Sequence, residues 1–340
     1  MSNIKFQNAL RKIPQATPPI WFMRQAGRYH QHYQNLRSKH SFMDLCKDPI
    51  LAAEVALGPI ADFDFDVSIL FSDLLFPLEA MGMGLTYDPA PKLGWHLEAA
   101  RIKDLIPAEK AIEALRFQKE AMLETRKVLP QDKSLIGFVG GPWTLFAYAM
   151  EGGHKGELHI AKKNINLFKQ FCDVLVPLLI ENIKLQLAGG AEVVMILDTA
   201  AGELSPGVFK FDVVPQLEKL TSGFHHKVAY YGKNIQGAHL AHNLFESNQF
   251  AGIGVDHRWN IAELLKNTRH GFVQGNFDQS LLFLSEKEFA IYLDRYLVDL
   301  VKLSPQERSG WVCGLGHGVL PNTPEHNVRT FVQTIREVFK

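Results

Sequence analysis

Eight short apolar or β-branched runs, each ending in a polar or glycine-rich turn and separated by helical patterns, predict an α/β protein: a single (β/α)8 barrel of the TIM type. The runs are too continuously apolar for half-exposed strands and suit a parallel sheet covered on both faces. A doubly wound open sheet is the runner-up. The chain lacks both the glycine fingerprint of dinucleotide folds and the Walker phosphate loop, which lowers that alternative. A length of 340 residues fits one large barrel, so residues 1–340 are read as a single domain.

The strand candidates are PPIWFMRQ (18–25), VSILFSD (67–73), LIGFVGG (135–141) and EVVMILD (192–198). They continue with KVAYYGK (227–233), FAGIGVD (250–256), GFVQGNFD (271–278) and GWVCGLGHG (310–318). Residues 77–107, rich in glycine and proline (GMGLTYDPAPKLG), form the longest irregular insertion and read as an extended flap at the barrel mouth. Residues 160–187 carry Phe168, Phe171, Leu175, Leu178 and Leu179 at helical spacing, with a kink expected at Pro177. Shorter helices are expected over 262–270, over 285–303 with Ser285 as N-cap, and from Glu325 to the C-terminus.

Composition narrows the functional classes. Lys plus Arg equals Asp plus Glu at 36 each, which argues against bulk binding to nucleic acid or a membrane surface. Three scattered cysteines make no disulfide framework and point to a reducing, cytoplasmic setting. The opening MSNIKFQNALRKIPQ has no signal-like apolar core, and no membrane-length apolar run occurs.

In such barrels chemistry collects where strands end. The first strand delivers Arg24 and Arg28, four apart and on one face if the turn runs into a helix. Later ends offer Ser72 and Asp73, then Tyr148 and Glu151 beyond Gly140-Gly141-Pro142-Trp143. Asp198 and Thr199, Lys233, Asp256 with His257 and Arg258, Asn276 and Asp278 follow, and His317 stands between Gly316 and Gly318. Singly, most have a plain reading: a strand-end aspartate usually caps a turn, Asp198 reads as structural, Lys233 as a solvated charge and Tyr148 as a core aromatic. His317 differs, because flanking glycines let a ligand approach the backbone. Metal ligation is not expected. His239 and His242 share one expected helix but complete no site, and Cys46, Cys172 and Cys313 read as packing residues.

The stretches PPIWFMRQAGRY and GFVGGPWTLFAYAMEGG resemble the two signature segments of the uroporphyrinogen decarboxylase family. ILFSDLLFPLEAMGMGLTYDPAP, LDTAAGELSP, VQGNFD and GLGHGVLPNTPEHNV resemble four more blocks, in order, so the likeness runs from about residue 5 to the C-terminus. It implies a cofactor-free, metal-free carboxy-lyase of haem and tetrapyrrole synthesis. Such an enzyme converts the four acetates of uroporphyrinogen III to the methyls of coproporphyrinogen III. The fold implied is a (β/α)8 barrel in a cytoplasmic homodimer. By motif, the resemblance assigns catalytic and substrate-binding roles to Arg24, Arg28, Asp73, Tyr148 and His317. Arg37 and Thr199 take substrate-binding positions, the latter usually serine.

The chemistry suits these residue types. Arginine grips carboxylates through paired charge-assisted hydrogen bonds, and the substrate carries eight carboxylates. Asp73 can accept the converging pyrrole N–H groups at the ring centre. Protonating a pyrrole α-carbon makes a cationic electron sink for the leaving CO2, which a carboxylate in a low-dielectric cleft stabilises. The substrate supplies its own sink, so no cofactor is required. The proton donor stays open between Tyr148, His317 and a bound water. Departures from the family pattern occur at His30, Gln31, His32, Thr199, Ala200, His257 and Gly314, and are read as ringing the pocket. The alternatives are a diverged member acting on a related tetrapyrrole, and a zinc- and corrinoid-dependent methyltransferase of the same superfamily. YYGKN lacks the His-x-Cys pair that the methyltransferase needs. A silent binding module predicts a degraded site, against the five polar residues kept.

Overall fold

The computed structural model describes residues 2–87, 90–154 and 156–340. Its main sheet has seven parallel strands: β1 (Val67–Ile69), β4 (Ser134–Gly140), β5 (Val194–Asp198), β6 (Val228–Gly232), β7 (Gly252–Gly254), β8 (Phe272–Phe277) and β9 (Trp311–Leu315). They pair in chain order, and helices lie between them, as the alternating pattern requires. Seven of the eight expected strands are therefore present.

The first expected strand, 18–25, is the correction. It forms no strand; only Ile20 makes an isolated parallel bridge, to Cys313 of β9. Its main chain reaches β9 through Cys313 N–H to Pro19 O at 2.8 Å and Trp21 N–H to Cys313 O at 3.0 Å. Toward β1 the bonds come mostly from side chains. The Ile20 N–H donates to Asp66 Oδ2 at 2.8 Å, and Gln25 Nε2 donates to Val67 O at 3.0 Å. Pro18 and Pro19 have no N–H to give a ladder, and Arg24 turns into the left-handed region at φ 59°. Both edges of the sheet, β1 and β9, thus meet at one short segment.

On the concave side Trp21, Met23, Val67, Ile136, Met195, Leu197, Ala229, Tyr231 and Val312 form one buried cluster. Phe6 and Ala9 of the helix Ile4–Leu10 join it and plug the end at which the strands begin. Asn3 caps that helix by accepting the Phe6 N–H at 3.0 Å. A second, larger core lies between the sheet and its surrounding helices.

The long helix is Asn166–Ala188, with Pro177 inside it, and its Gln186 side chain is fully buried. Gln186 accepts the Phe138 N–H at 2.8 Å and donates to Phe138 O at 2.9 Å, so a side-chain amide stands in for a strand neighbour at β4. Ser285 caps the helix Glu286–Leu297 in a capping box with Glu288, as expected. His239 and His242 do not share a helix. Gly237–Leu240 ends before His242, which caps Asn243–Glu246 by accepting the Leu244 N–H.

Within 77–107 the chain forms a π turn at Glu79–Met83 and an antiparallel hairpin, β2 (Leu85–Tyr87) with β3 (Pro91–Leu93). Met81, Met83, Leu85, Leu93 and Leu97 anchor the segment in the core. Asp88 and Pro89, which belong to the expected flap, lie outside the described residues. No described helix is long and apolar enough to cross a membrane.

Candidate functional site

Arg24, Asp73, Tyr148 and His317 come from four distant parts of the chain and share one electrostatic environment. Arg24 follows the bridge segment and is exposed. Its charge opposes the burial-driven rise in the pKa of both Asp73 and Tyr148 and adds to the depression of His317. Gly318 makes this placement possible: a Cβ there would stand 2.5 Å from Arg24 Cδ. The glycine after His317 thus admits the arginine stem.

Asp73 follows β1. Its Oδ1 accepts the Leu75 N–H at 2.8 Å. Burial raises its pKa above the ordinary value; the Leu75 bond, Tyr87 and Arg24 pull the other way. The buried Tyr87 hydroxyl of the hairpin stands beside this carboxylate and pulls its pKa down. Sequence reading missed Tyr87, because nothing in the sequence brings β2 back to Asp73.

Tyr148 projects from the helix Pro142–Glu151. Its pKa is pushed up to about 12 by burial, then by Asp73, against Arg24. Its hydroxyl is 2.6 Å from His154 Nδ1, a partner that the sequence reading did not single out.

His317 follows β9 and stacks on Tyr231 with ring centroids 6.0 Å apart and planes 6° from parallel. The Tyr231 hydroxyl donates its one proton to Gly316 O at 2.8 Å. Its contact with His317 Nδ1 at 3.2 Å then has the imidazole as donor, leaving Nε2 a lone pair. Burial, then Arg24 and Lys233, lower the His317 pKa to about 3. It is a neutral group at physiological pH.

Other expected residues separate from this cluster. Arg24 and Arg28 do not lie on one helix face, because the chain turns at both and the next helix is Gln31–Arg37. Arg37, at the end of that helix, is exposed and donates to His40 O at 2.8 Å. It flanks Tyr33 together with Arg28, and among the described residues makes no hydrogen bond or ion pair with Asp73, Tyr148 or His317. Asp198 is structural. Fully buried, it accepts from Thr144 N at 2.9 Å, Thr144 Oγ1 at 2.5 Å and Tyr230 Oη at 3.2 Å. Burial lifts its pKa to about 6 against those three hydrogen bonds. Asp256 likewise ties the Asn234 N–H and Arg258. Thr199 is 8% exposed, and its hydroxyl has no partner.

The departures at 30–32 do not ring the pocket. His30 is fully buried against the helix Pro49–Phe63, with Nε2 2.6 Å from Asp62 Oδ2. The Gln31 N–H donates to Glu325, and His32 contacts Glu54 O. An apolar run followed by polar residues gave no sign of which way they turn. His257 does approach His317, and Gly314 leaves room for the Gln274 amide and Trp21 O.

The three cysteines are buried and unpaired, and among the described residues no cluster of three His, Cys, Asp or Glu is arranged to hold a metal. A cavity of about 640 Å³ beside the outer face of β7, lined by Leu240, Phe245, Ile253 and Trp259, shares no residue with the cluster.

Arg24, Arg28 and Lys233 have no carboxylate partner among the described residues. An unpaired Arg24 beside the half-buried Asp73, with Lys233 beside His317, is a setting that suits an anionic ligand. The family model described as "Uroporphyrinogen decarboxylase (URO-D)" matches residues 1–338. A protein called uroporphyrinogen decarboxylase from Myxococcus xanthus is 34% identical over 98% of this chain and 96% of its own length. One of the same name from Pelobacter propionicus is 31% identical over 99% of both. A solved methyltransferase from Methanosarcina mazei superposes with TM-score 0.74 at 19% identity, covering 99% of this chain and 98% of its own, a likeness of fold. The chain belongs to the uroporphyrinogen decarboxylase family, whose members are carboxy-lyases.

Proposed function

We propose that this protein decarboxylates the four acetate side chains of uroporphyrinogen III to give coproporphyrinogen III, without metal or organic cofactor. The observation that carries the reading at the site is the half-buried Asp73 carboxylate beside Arg24, which has no ion-pair partner among the described residues. Asp73 receives the pyrrole N–H donors, while Arg24, Arg28 and Arg37 meet side-chain carboxylates. Tyr148, Thr199 and His317 position the ring; neutral His317 accepts through Nε2 without adding charge.

Each decarboxylation consumes one proton. Protonation at a pyrrole α-carbon gives an iminium cation, which Asp73 stabilises. The C–C bond electrons flow into that cation as CO2 leaves, forming an exocyclic methylene. Protonation of the methylene gives the methyl, and loss of the α-proton restores the pyrrole. Expelling water from the cleft strengthens the Asp73 term.

The reading extends to the architecture. Segment 18–23, bonded toward both β1 and β9, serves as the eighth stave of a closed (β/α)8 barrel, and 1–340 acts as one catalytic domain. The hairpin that brings Tyr87 to Asp73 acts as a flap over the mouth. A homodimer in the cytoplasm completes the reading. The donor set does not favour the zinc-dependent methyltransferase alternative, since among the described residues no three His, Cys, Asp or Glu side chains are arranged to hold a metal.

Anaerobic incubation with uroporphyrinogen III alone, with products oxidised and separated by carboxylate count, tests the function. Passage from eight carboxylates through seven, six and five to four is the expected result. Well-folded protein that leaves the substrate untouched would overturn it, and related tetrapyrroles would then be tried.

A further inference from the structure

Thr199 and Lys233 occupy neighbouring strand ends. Strands β5 and β6 run parallel with Leu197 opposite Tyr231 and Asp198 opposite Gly232. One step further, that register sets Thr199 beside Lys233. Leu197 and Tyr231 both belong to the concave cluster; Thr199 and Lys233 are the turn residues that follow just past the two strand ends, and the Lys233 charge reaches His317.

The two side chains are poised alike. The Thr199 hydroxyl is buried with no partner, although a buried hydroxyl ordinarily has one. The Lys233 ammonium has no carboxylate or hydrogen-bond partner among the described residues. Its backbone, in contrast, is held on both sides. Lys233 O accepts the Gly202 N–H at 3.2 Å, and the next residue's N–H donates to Asp256 at 2.6 Å. Gly202 packs so closely on this turn that no Cβ fits. A fixed backbone carrying an unpaired cation beside an unpaired hydroxyl is a pre-organised anion receptor. Nearby, His317 feels the Lys233 charge.

We propose that Lys233 and Thr199 form a further carboxylate clamp, taking a side-chain carboxylate of the bound tetrapyrrole on the β5–β6 wall apart from Arg24 and Arg28. This rests on the substrate reading above. It makes Lys233 a specificity-determining residue that holds the ring in register as successive acetates are lost.

The test compares wild type with Lys233→Met, Lys233→Arg and Thr199→Val. Lys233→Met is expected to raise KM about tenfold, the worth of one charge-assisted hydrogen bond, and to release partly decarboxylated intermediates. Lys233→Arg should recover most of the affinity. In ligand-free protein, NMR of the labelled imidazole should show His317 protonating at higher pH in Lys233→Met, because a nearby cation has gone. Unchanged KM and intermediate pattern with a folded Lys233→Met enzyme would overturn the clamp. So would an unchanged His317 titration, which does not depend on the substrate's identity. If wild type leaves uroporphyrinogen untouched, the substrate reading fails by itself. The clamp is then judged by the His317 titration and by citrate-induced shifts of His317, which should be lost in Lys233→Met and would overturn the clamp if retained.

Discussion

Asp73 shows how one residue is tuned by its surroundings. It is a carboxylate in a proposed site for a polyanion, which makes sense only where donors converge. Burial raises its pKa, against the Leu75 bond, Tyr87 and Arg24. Asp73→Asn keeps the shape and removes the charge; kcat is expected to fall about 100-fold or more with the circular dichroism unchanged. Near-wild-type turnover in a folded variant would dismiss the charge role. Arg24 depends on a neighbour with no chemistry of its own. Gly318→Ala puts a methyl 2.5 Å from Arg24 Cδ, so the guanidinium must shift. Steady-state kinetics should show KM raised about tenfold, as for a misplaced carboxylate clamp. A kinetic phenotype matching wild type would mean that the stem moves aside freely.

At the scale of elements, side chains join strands where main chain does not. Gln186 satisfies both polar groups of Phe138 from a helix. Gln186→Leu leaves those backbone groups buried and unpaired, which costs about 3 kcal/mol. Urea unfolding should report that loss with the m-value unchanged, and a loss under about 0.5 kcal/mol would show that solvent reaches Phe138. Asp198 couples β5 to the helix Pro142–Glu151 and to Tyr230 of β6. Its pKa rises from 3.8 to about 6 on folding, so between those values the folded state holds more proton than the unfolded one. Stability from this group is therefore present at low pH and lost as pH rises through about 6. Against Asp198→Asn, wild type should lose relative stability from pH 4 to pH 6 in thermal unfolding; parallel Tm curves would refute the assignment.

At the scale of the whole molecule, the candidate site residues lie beyond the carboxyl ends of different strands, and helix Ile4–Leu10 plugs the other end. The candidate site and the plug thus lie at opposite ends of the strands. The site's donor set also bears on cofactors. Protein exhaustively treated with a chelator should keep its full rate of uroporphyrinogen turnover; loss restored by added zinc would contradict the cofactor-free reading.

Much was legible in the sequence because it is local. Seven apolar runs became strands, since residues buried on both faces must be apolar wherever they pack. The capping box at Ser285 and the buried cysteines followed from short-range chemistry in the same way. Arg24, Asp73, Tyr148 and His317 were recognisable as polar residues at strand ends, and their motifs carried the family. The failures were non-local. Segment 18–25 looks like a strand, but its bonds to β1 depend on the side chains of Asp66 and Gln25, which no periodicity reports. His30 turned away from the mouth to Asp62 for a reason that lies in another helix. Tyr87 beside Asp73, His154 on Tyr148 and Lys233 beside Thr199 are juxtapositions across long stretches of chain. Sequence by itself determined which residues are apolar, which can cap and which carry charge. Only the tertiary structure decided which charges stay unpaired, because pairing depends on distances between elements that folding alone brings together.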